Sequence, residues 1–432
     1  DHADGAEGGP PEKLSHLPCG PGCHPPAFPP GPLFSEIDSK NCGLDTIMNE
    51  LLNALSADQE QMQSWRHHMH RHPEVAFDEH NTARYIADLL RGWGYTVTEG
   101  VGKTGVVASL TVGDGKKAIG LRADTDALAV QEMTDSDHKS TIPGKSHTCG
   151  HDGHSAMLLG AARYLAEKKP FNGTVHLIFQ PAEEVMGGAP AMIADGLFER
   201  FPMDAVFGMH NMPSLERGKL YFTAGPVMAA VDNWEIVLTG VGSHGSMPER
   251  SVDPVVAGAS LVMALQTIVS RNVAPLDSAV VSVGAFLAGD AGNVIPQTAT
   301  LRLSIRSSKP ETRKLVLDKV RAITAAQAAA FGVSFEIREG APGAVLVNNP
   351  AQTELCAAIA RTVLGEEQVV MPGPTFMGSE DFAYYAQHKP GTYCFIGNGN
   401  TPMVHHPMYD FDDRNLPVGA AYWVAVAEHF LA

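Results

Sequence analysis

Basic residues are scarce in this chain. Lysine and arginine total 31 against 48 aspartates and glutamates, a formal net charge of −17. A surface that acidic repels phosphate backbones, which excludes nucleic acid as a partner. Long apolar runs are lacking too: no stretch reads as a bilayer span, so no membrane partner is expected. The N-terminus has no basic-then-apolar leader pattern. It begins at Asp1 rather than Met, which leaves room for trimming, and a cytoplasmic location is the expectation. Cysteine is sparse. Six in 432 residues do not make a disulfide scaffold. Hydrophobic residues at 44% and charged residues at 18% are ordinary for a globular protein. The length allows two domains and a large core.

Residues 1–40 differ from the rest. "GGPPEKLSHLPCGPGCHPPAFPPGP" is dense in Pro and Gly, has no hydrophobic period, and reads as an extended arm. Cys19, Cys23 and His24 are metal-type side chains there, but no fourth ligand is evident. Helical periodicity begins near Leu44 and recurs in "NTARYIADLLRGWG". "AIGLRADTDAL" reads as a buried strand ending in two aspartates. "SAMLLGAARYLAEKK" reads as a helix with Ser155 near its cap, and "GTVHLIFQ" as a strand running into "PAEE". Strands alternating with helices predict an α/β sheet. From about residue 230 the order becomes β-α-β-β-α-β, a ferredoxin-like unit, with Asp253 capping a helix that starts at Pro254 and Gly332 stopping another. The expected organisation is therefore an arm over 1–40, a catalytic domain over 41–229 and 340–432, and an inserted domain over 230–339.

The densest chemistry lies in "HTCGHDGHS", residues 147–155. Cys149 and His151 flank one glycine, so thiolate and imidazole can reach one point, a pairing that suits zinc and similar ions. Asp152 and His154 are ligands or supports that orient the imidazoles. A polar turn with no metal, or a cysteine nucleophile, remains an alternative at this point. In "QPAEE" an extended chain would point Glu183 and Glu184 apart, one toward a metal and one toward substrate. His210 in "FGMHNMP" closes a buried strand, and His405 and His406 lie in "MVHHPMYDF". Most of these positions fall at strand ends, where open α/β sheets place their sites.

Eight motifs occur in order: "GLRADTDAL", "HTCGHDGHSAMLLGAA", "IFQPAEE", "GMHNMP", "GSHGSMP", "GNVIPQTATLRLSIRS", "MGSEDFAYY" and "HHPMYDFDD". Together they resemble the amidohydrolase branch of the aminoacylase–carboxypeptidase family of dinuclear metallohydrolases. That branch holds hippurate hydrolases, N-acyl-amino-acid amidohydrolases and plant auxin-conjugate hydrolases. The resemblance runs from about residue 45 to 432. It implies an α/β fold, a central mixed sheet flanked by helices as in zinc exopeptidases, with the inserted α+β unit as a lid. It implies two divalent metal ions per subunit (Zn, Mn, Co or Ni), held by Cys149, His151, Glu184, His210 and His405, with Cys149 bridging rather than attacking. Glu183 matches the general base and Asp124 a supporting carboxylate, while Arg122 stands where distant relatives carry a metal-binding histidine. His244 matches a lid histidine that crosses to a partner's site in dimeric relatives and helps hold the oxyanion. Asn293 and Arg306 match lid residues near the substrate carboxylate.

The expected activity is metal-dependent hydrolysis of the amide of N-acyl amino acids or related conjugates, by water activated between the ions with Glu183 as base. The expected assembly is a homodimer or homotetramer formed through the lid. A carboxypeptidase or dipeptidase of the same family, and a catalytically inactive metal-binding module, are the alternatives. Three segments depart from the family pattern and are expected near the cleft: Glu249 where relatives often have His, "SLERGKL", and "DSDHKSTIPGKSH".

Overall fold

The structure is a computed structural model, and it describes residues 50–432; the Pro/Gly-rich arm with Cys19, Cys23 and His24 lies outside them. Two helices, Gln59–Arg71 and His80–Gly92, lead into the first strands. In chain order these are β1 (Thr96–Val101), β2 (Gly105–Val112), β3 (Ala118–Asp124), β4 (Gly173–Gln180), β5 (Ala205–Met212) and β6 (Leu220–Tyr221). Four longer strands follow in the inserted segment, β7 (Ala230–Thr239), β8 (Ala279–Leu287), β9 (Thr298–Ser307) and β10 (Ser334–Glu339), beside a short ribbon of Ser243–His244 and Val294–Ile295. The chain then returns through β11 (Val369–Val370) and β12 (Gly391–Gly397).

The main sheet has eight strands in the order β1-β2-β4-β3-β5-β12-β6-β11. Its centre, β4-β3-β5-β12, is parallel, and antiparallel pairs flank it. The sheet is thus mixed, as the α/β reading expects. β5 and β12 are buried at every position, so helices must cover both faces. On one side lie His151–Lys168 and Leu416–Phe430, each buried over most of its length. Parallel central strands send their carboxyl ends to one edge. Asp124, Gln180 and Met212 end three of them, and the chemistry gathers just beyond.

The inserted segment forms a separate antiparallel sheet in the order β8-β9-β7-β10, which is the ferredoxin-like strand order. β7 and β9 alternate buried and partly exposed positions, and Trp234, Ile236, Leu238, Leu301, Leu303 and Ile305 supply the core. The Asp253 side chain accepts from Val255 N and Val256 N with Pro254 at the first helical position, and Gly332 ends Pro310–Phe331 at φ +73°. The chain enters and leaves this unit through Gly225–Met228 and Leu346–Asn348, which pair with each other as an antiparallel ribbon.

Three expectations need correction. The helix containing Ser155 starts at His151, because Gly150 at φ +89° turns the chain there; Ser155 is interior and its Oγ donates to Asp124 O at 2.9 Å. "PAEE" is not extended: Glu183–Val185 is a single 3₁₀ turn. Pro254–Asn272, with 19 residues and mean hydropathy 1.3, is by length and composition apolar enough to cross a membrane, contrary to the absence read from the sequence. A third of it is buried, with Ala257, Leu261, Leu265 and Ile268 in the core of the inserted sheet.

Candidate metal centre

Gly150 sets the local geometry between the first two donors. A Cβ there would lie 2.4 Å from Asn211 Nδ2 and 2.5 Å from Tyr409 OH, and its φ is one that L side chains rarely adopt. Cys149 Sγ ends 3.4 Å from His210 Nε2. The His151 Nδ1–H donates to Asp126 O at 2.9 Å, and the His210 Nδ1–H donates to Asn211 O at 2.5 Å. Carbonyl oxygens only accept, so each ring turns its Nδ1–H to the backbone and its Nε2 toward the other donors.

The glutamate turn is held by residues distant in sequence. Its flanks, Ala182 at φ +53° and Met186 at φ +54°, both sit in the left-handed region. Glu79 Oε1 accepts from Ala182 N at 2.9 Å, and the two Asp126 carboxylate oxygens accept from Glu183 N and Glu184 N at 3.0 Å each. His405 is likewise left-handed at φ +70°, and its N–H donates to Thr148 O at 2.7 Å. That bond ties it to the segment carrying Cys149.

These supports bring six of the sequence-derived residues together. Cys149, His151 and His210 form one set of donor atoms within 4.8 Å of one another, and Cys149, Glu184 and His405 form a second. The two sets share the cysteine sulfur. Glu183 joins His151 and Glu184 in a third set. Glu184 Oε1 lies 3.3 Å from His405 Nε2 and 3.9 Å from His151 Nε2. Both His151 Nε2 and Glu184 Oε1 are buried, and neither makes a hydrogen bond of good geometry among the described residues. Orphaned polar atoms converging in a buried site fit divalent cations, which would take the place of the His151 proton.

The electrostatics agree with that fit. Burial, then the Glu184, Glu183 and Asp124 carboxylates, push the Cys149 thiol well above its ordinary value. A thiol so placed is a poor nucleophile and ionises only beside added positive charge. Burial opposes a proton on His151, but Asp124 and Asp126 outweigh it and raise the group to about 10. Burial and neighbouring His154 hold His210 neutral. Burial also opposes charge on Glu184, yet His405 and His151 lower it below the usual carboxylate range. Glu183 goes the other way, raised by burial and by Glu380, Asp381 and Glu184.

Asp124 lies behind the donors. Its Oδ2 accepts from Arg122 Nη1 at 2.7 Å and sits 3.8 Å from His151 Nε2, while Oδ1 contacts His154 Nδ1 at 2.6 Å. Arg122 is fully buried and also donates to Gln180, Glu380 and Asp381 at 2.9–3.1 Å, and Tyr393 OH donates to Glu380. A guanidinium has no lone pair to offer a metal, so Arg122 neutralises carboxylates instead. His154 supports His210 without bonding to its ring: its Nε2 accepts from Asn211 N at 2.9 Å, the Asn211 carbonyl takes the His210 Nδ1–H, and the two rings pack edge-on with centroids 4.6 Å apart. Asp152 faces away from the centre, contacting Arg66 and His70 at 3.2 and 2.8 Å. His147 is buried with both ring nitrogens unpartnered among the described residues, and burial pushes it down to about 4.

A cleft of about 420 Å³ opens over the cluster, lined by Cys149, Glu183, Glu184, His210, His405 and, from the inserted unit, Arg306. Arg306 donates through Nη1 to Met377 O at 2.8 Å and to Ser379 Oγ at 3.4 Å. His244 and Asn293 do not line this cleft. They sit beside each other on an exposed ribbon, where Gly245 N donates to Asn293 O and His244 pairs with Val294. Glu249, "SLERGKL" and "DSDHKSTIPGKSH" are not among the residues that line it. Asp126, Glu79, Glu380 and Asp381 were missed from sequence. "RADTD" and "SED" contained three of them, but nothing local showed which backbone or cation each would meet.

A model of the peptidase family M20/M25/M40 matches residues 120–429. The chain is 45% identical over 366 residues to a hippurate hydrolase of Campylobacter jejuni, covering 85% of this chain and 95% of that protein. It is 38% identical over 371 residues to an N-acetyl-L-cysteine deacetylase of Bacillus subtilis, covering 86% and 88%. Among solved structures, the Bacillus subtilis YXEP protein, described as a dinuclear metal binding peptidase, superposes with a TM-score of 0.77 at 32% identity, covering 87% and 99%.

Proposed function

This chain belongs to the peptidase family M20/M25/M40 and is a hydrolase of amide bonds, and from that premise we propose that it cleaves N-acyl amino acids or related conjugates at a two-metal centre. The observation that carries this reading is the pair of donor sets sharing Cys149, with Glu183 beside them and Arg306 in the same cleft. Cys149, His151, Glu184, His210 and His405 would hold the ions, Cys149 between them. Zn, Mn, Co and Ni all suit this mixture of thiolate, imidazole and carboxylate. Bound ions supply Lewis acidity toward the carbonyl oxygen and lower the pKa of water.

The chain's own groups do the rest. Glu183, held basic by burial and neighbouring carboxylates, takes a proton from the attacking water. It then delivers that proton to the leaving nitrogen as the C–N bond breaks, giving a carboxylate and a free amino acid. Arg306 Nε and Nη2 have no hydrogen-bond partner among the described residues and are available to a substrate carboxylate. Asp124 positions the site through Arg122 and His154. His244 and Asn293 lie on an exposed ribbon, which fits a role in a partner's cleft. There His244 would donate to the carbonyl oxygen as charge develops, and Asn293 would lie near the substrate carboxylate. We read the protein as a cytoplasmic homodimer or homotetramer joined through the inserted unit acting as lid. Edge strand β8 and its helix expose Val256, Met263, Phe286 and Leu287, an apolar surface that suits a second copy.

The test is a substrate panel on metal-reconstituted protein: N-acetyl and N-benzoyl amino acids beside dipeptides, with each of the four metals. Fastest turnover of acylated amino acids is expected. Preference for dipeptides would make it a peptidase, and no turnover at full metal occupancy would make it a binding module. Glu183→Gln should keep its metal and lose turnover by at least about 100-fold; near-normal activity would refute the base assignment.

A further inference from the structure

Five of the chain's 17 methionines line this one cleft: Met186, Met212, Met228, Met377 and Met403. They arrive on separate segments. Met186 follows Glu184 by two residues, Met212 follows His210 by two, and Met403 precedes His405 by two. The thioethers therefore ring the donor set because the donors' own segments carry them. Phe376 joins them as a fixed ring, its centroid 4.8 Å from Phe395 in a T-shaped pair. Met403 is 51% exposed, an unusual cost for a side chain of that type unless something apolar comes to cover it. Methionine is unbranched, flexible and polarizable, so a wall built from it adapts to varied apolar shapes and makes favourable sulfur–aromatic contacts.

The polar side chains of the cleft are mostly committed. The donor set and Glu183 face the reacting centre, Glu380 is paired with Arg122 and Tyr393, and Arg306 suits a carboxylate. Asn233 and Ser379 remain as the uncharged polar side chains of the lining. A volume of about 420 Å³ is also generous for an acetyl group on a small amino acid.

We propose that the methionine wall is the acyl subsite, and that it selects large apolar acyl groups, aryl or medium-chain, over acetyl while tolerating variation in their shape. The inference rests on the N-acyl amino acid reading above. It separates two chemistries that the relatives leave open, one named for hippurate, which is benzoylglycine, and one for an N-acetyl compound.

The experiment takes the amino acid cleaved fastest in the panel and varies only its acyl group: acetyl, butanoyl, benzoyl and octanoyl. kcat/KM should rise by about tenfold or more from acetyl to benzoyl and to octanoyl. Met403→Ser should lower the octanoyl-to-acetyl ratio by about fivefold, and Met403→Leu should keep it. Independently of turnover, Glu183→Gln titrated by calorimetry should bind the octanoyl compound about tenfold more tightly than the acetyl one. A flat or falling acyl series, or equal binding of the two compounds, overturns the proposal. Absence of cleavage across all acyl groups with tighter octanoyl binding intact would overturn the hydrolytic reading and leave the subsite standing.

Discussion

Asp126 is the support whose removal is most informative. Asp126→Asn changes one oxygen to an NH₂ at nearly constant shape. In the native turn the carboxylate accepts from Glu183 N and Glu184 N, both at 3.0 Å. Hydrogen bonds to a charged acceptor contribute about 1.5–3 kcal/mol each. The amide keeps one acceptor without its charge and sets a donor against the other N–H. The expected loss is about 2–4 kcal/mol if the turn stays where it is. The turn has an alternative, because it already holds Ala182 and Met186 at positive φ, each costing on the order of 1 kcal/mol or more. Relaxation would relieve that strain and move Glu183. A displacement of about 1 Å costs roughly 100-fold in rate, equivalent to ~2.7 kcal/mol.

The two outlets are similar in size, so both should be used. kcat/KM on the preferred acyl amino acid is expected to fall about 100-fold. The urea-unfolding free energy should drop by about 1–2 kcal/mol, and metal content should fall less than either, since Cys149, His210 and His405 are held by other segments. A variant within threefold of native kcat/KM and within ~0.5 kcal/mol of native stability would refute the role given to Asp126.

Gly150→Ala forces a side chain into a left-handed residue, about 1–2 kcal/mol, and into Asn211 and Tyr409. A loss of at least about 2 kcal/mol with reduced metal by elemental analysis is expected; unchanged metal and stability would count against the close approach. Arg122→Met strips the buried cation from Asp124, Glu380 and Asp381 and should destabilise by about 3–5 kcal/mol in denaturant titration. Burial opposes charge on His70, but Asp152 and Glu132 outweigh it and raise the group to about 9, above its ordinary 6.5. Its protonation therefore stabilises the fold fully below about pH 6.5, and that contribution fades as pH rises through about 9. Native protein should lose roughly 2–3 kcal/mol between pH 6 and 10, and His70→Gln clearly less; parallel stability curves would contradict the pairing.

The residues that converge at the candidate centre were legible because side chains of these types are rare in such density. Cysteine beside histidine, paired glutamates after an apolar strand, and histidines at strand ends needed no distances to stand out. The inserted unit was legible for another reason, since β7 and β9 alternate with period two and Asp253-Pro254 and Gly332 mark helix ends. The supports were not legible. Asp126 meets backbone 57 and 58 residues away, and Arg122 meets Glu380 across 258. Only the folded sheet sets such pairs side by side. Asp152 shows the same limit in reverse. Its position next to His151 suggested service to that ring, yet helix geometry turns successive side chains apart and delivers it to Arg66 and His70.

The ribbon that joins Gly225–Met228 to Leu346–Asn348 sets the way in and the way out of the inserted segment one strand spacing apart. An excursion of more than a hundred residues thus begins and ends at neighbouring points on its host. To that two-stranded ribbon, the whole segment is topologically equivalent to a hairpin turn. Such a junction lets a lineage acquire, lose or exchange the module without rethreading the sheet that carries the candidate metal ligands. Cleft architecture and assembly can then change separately from the chemistry beneath them.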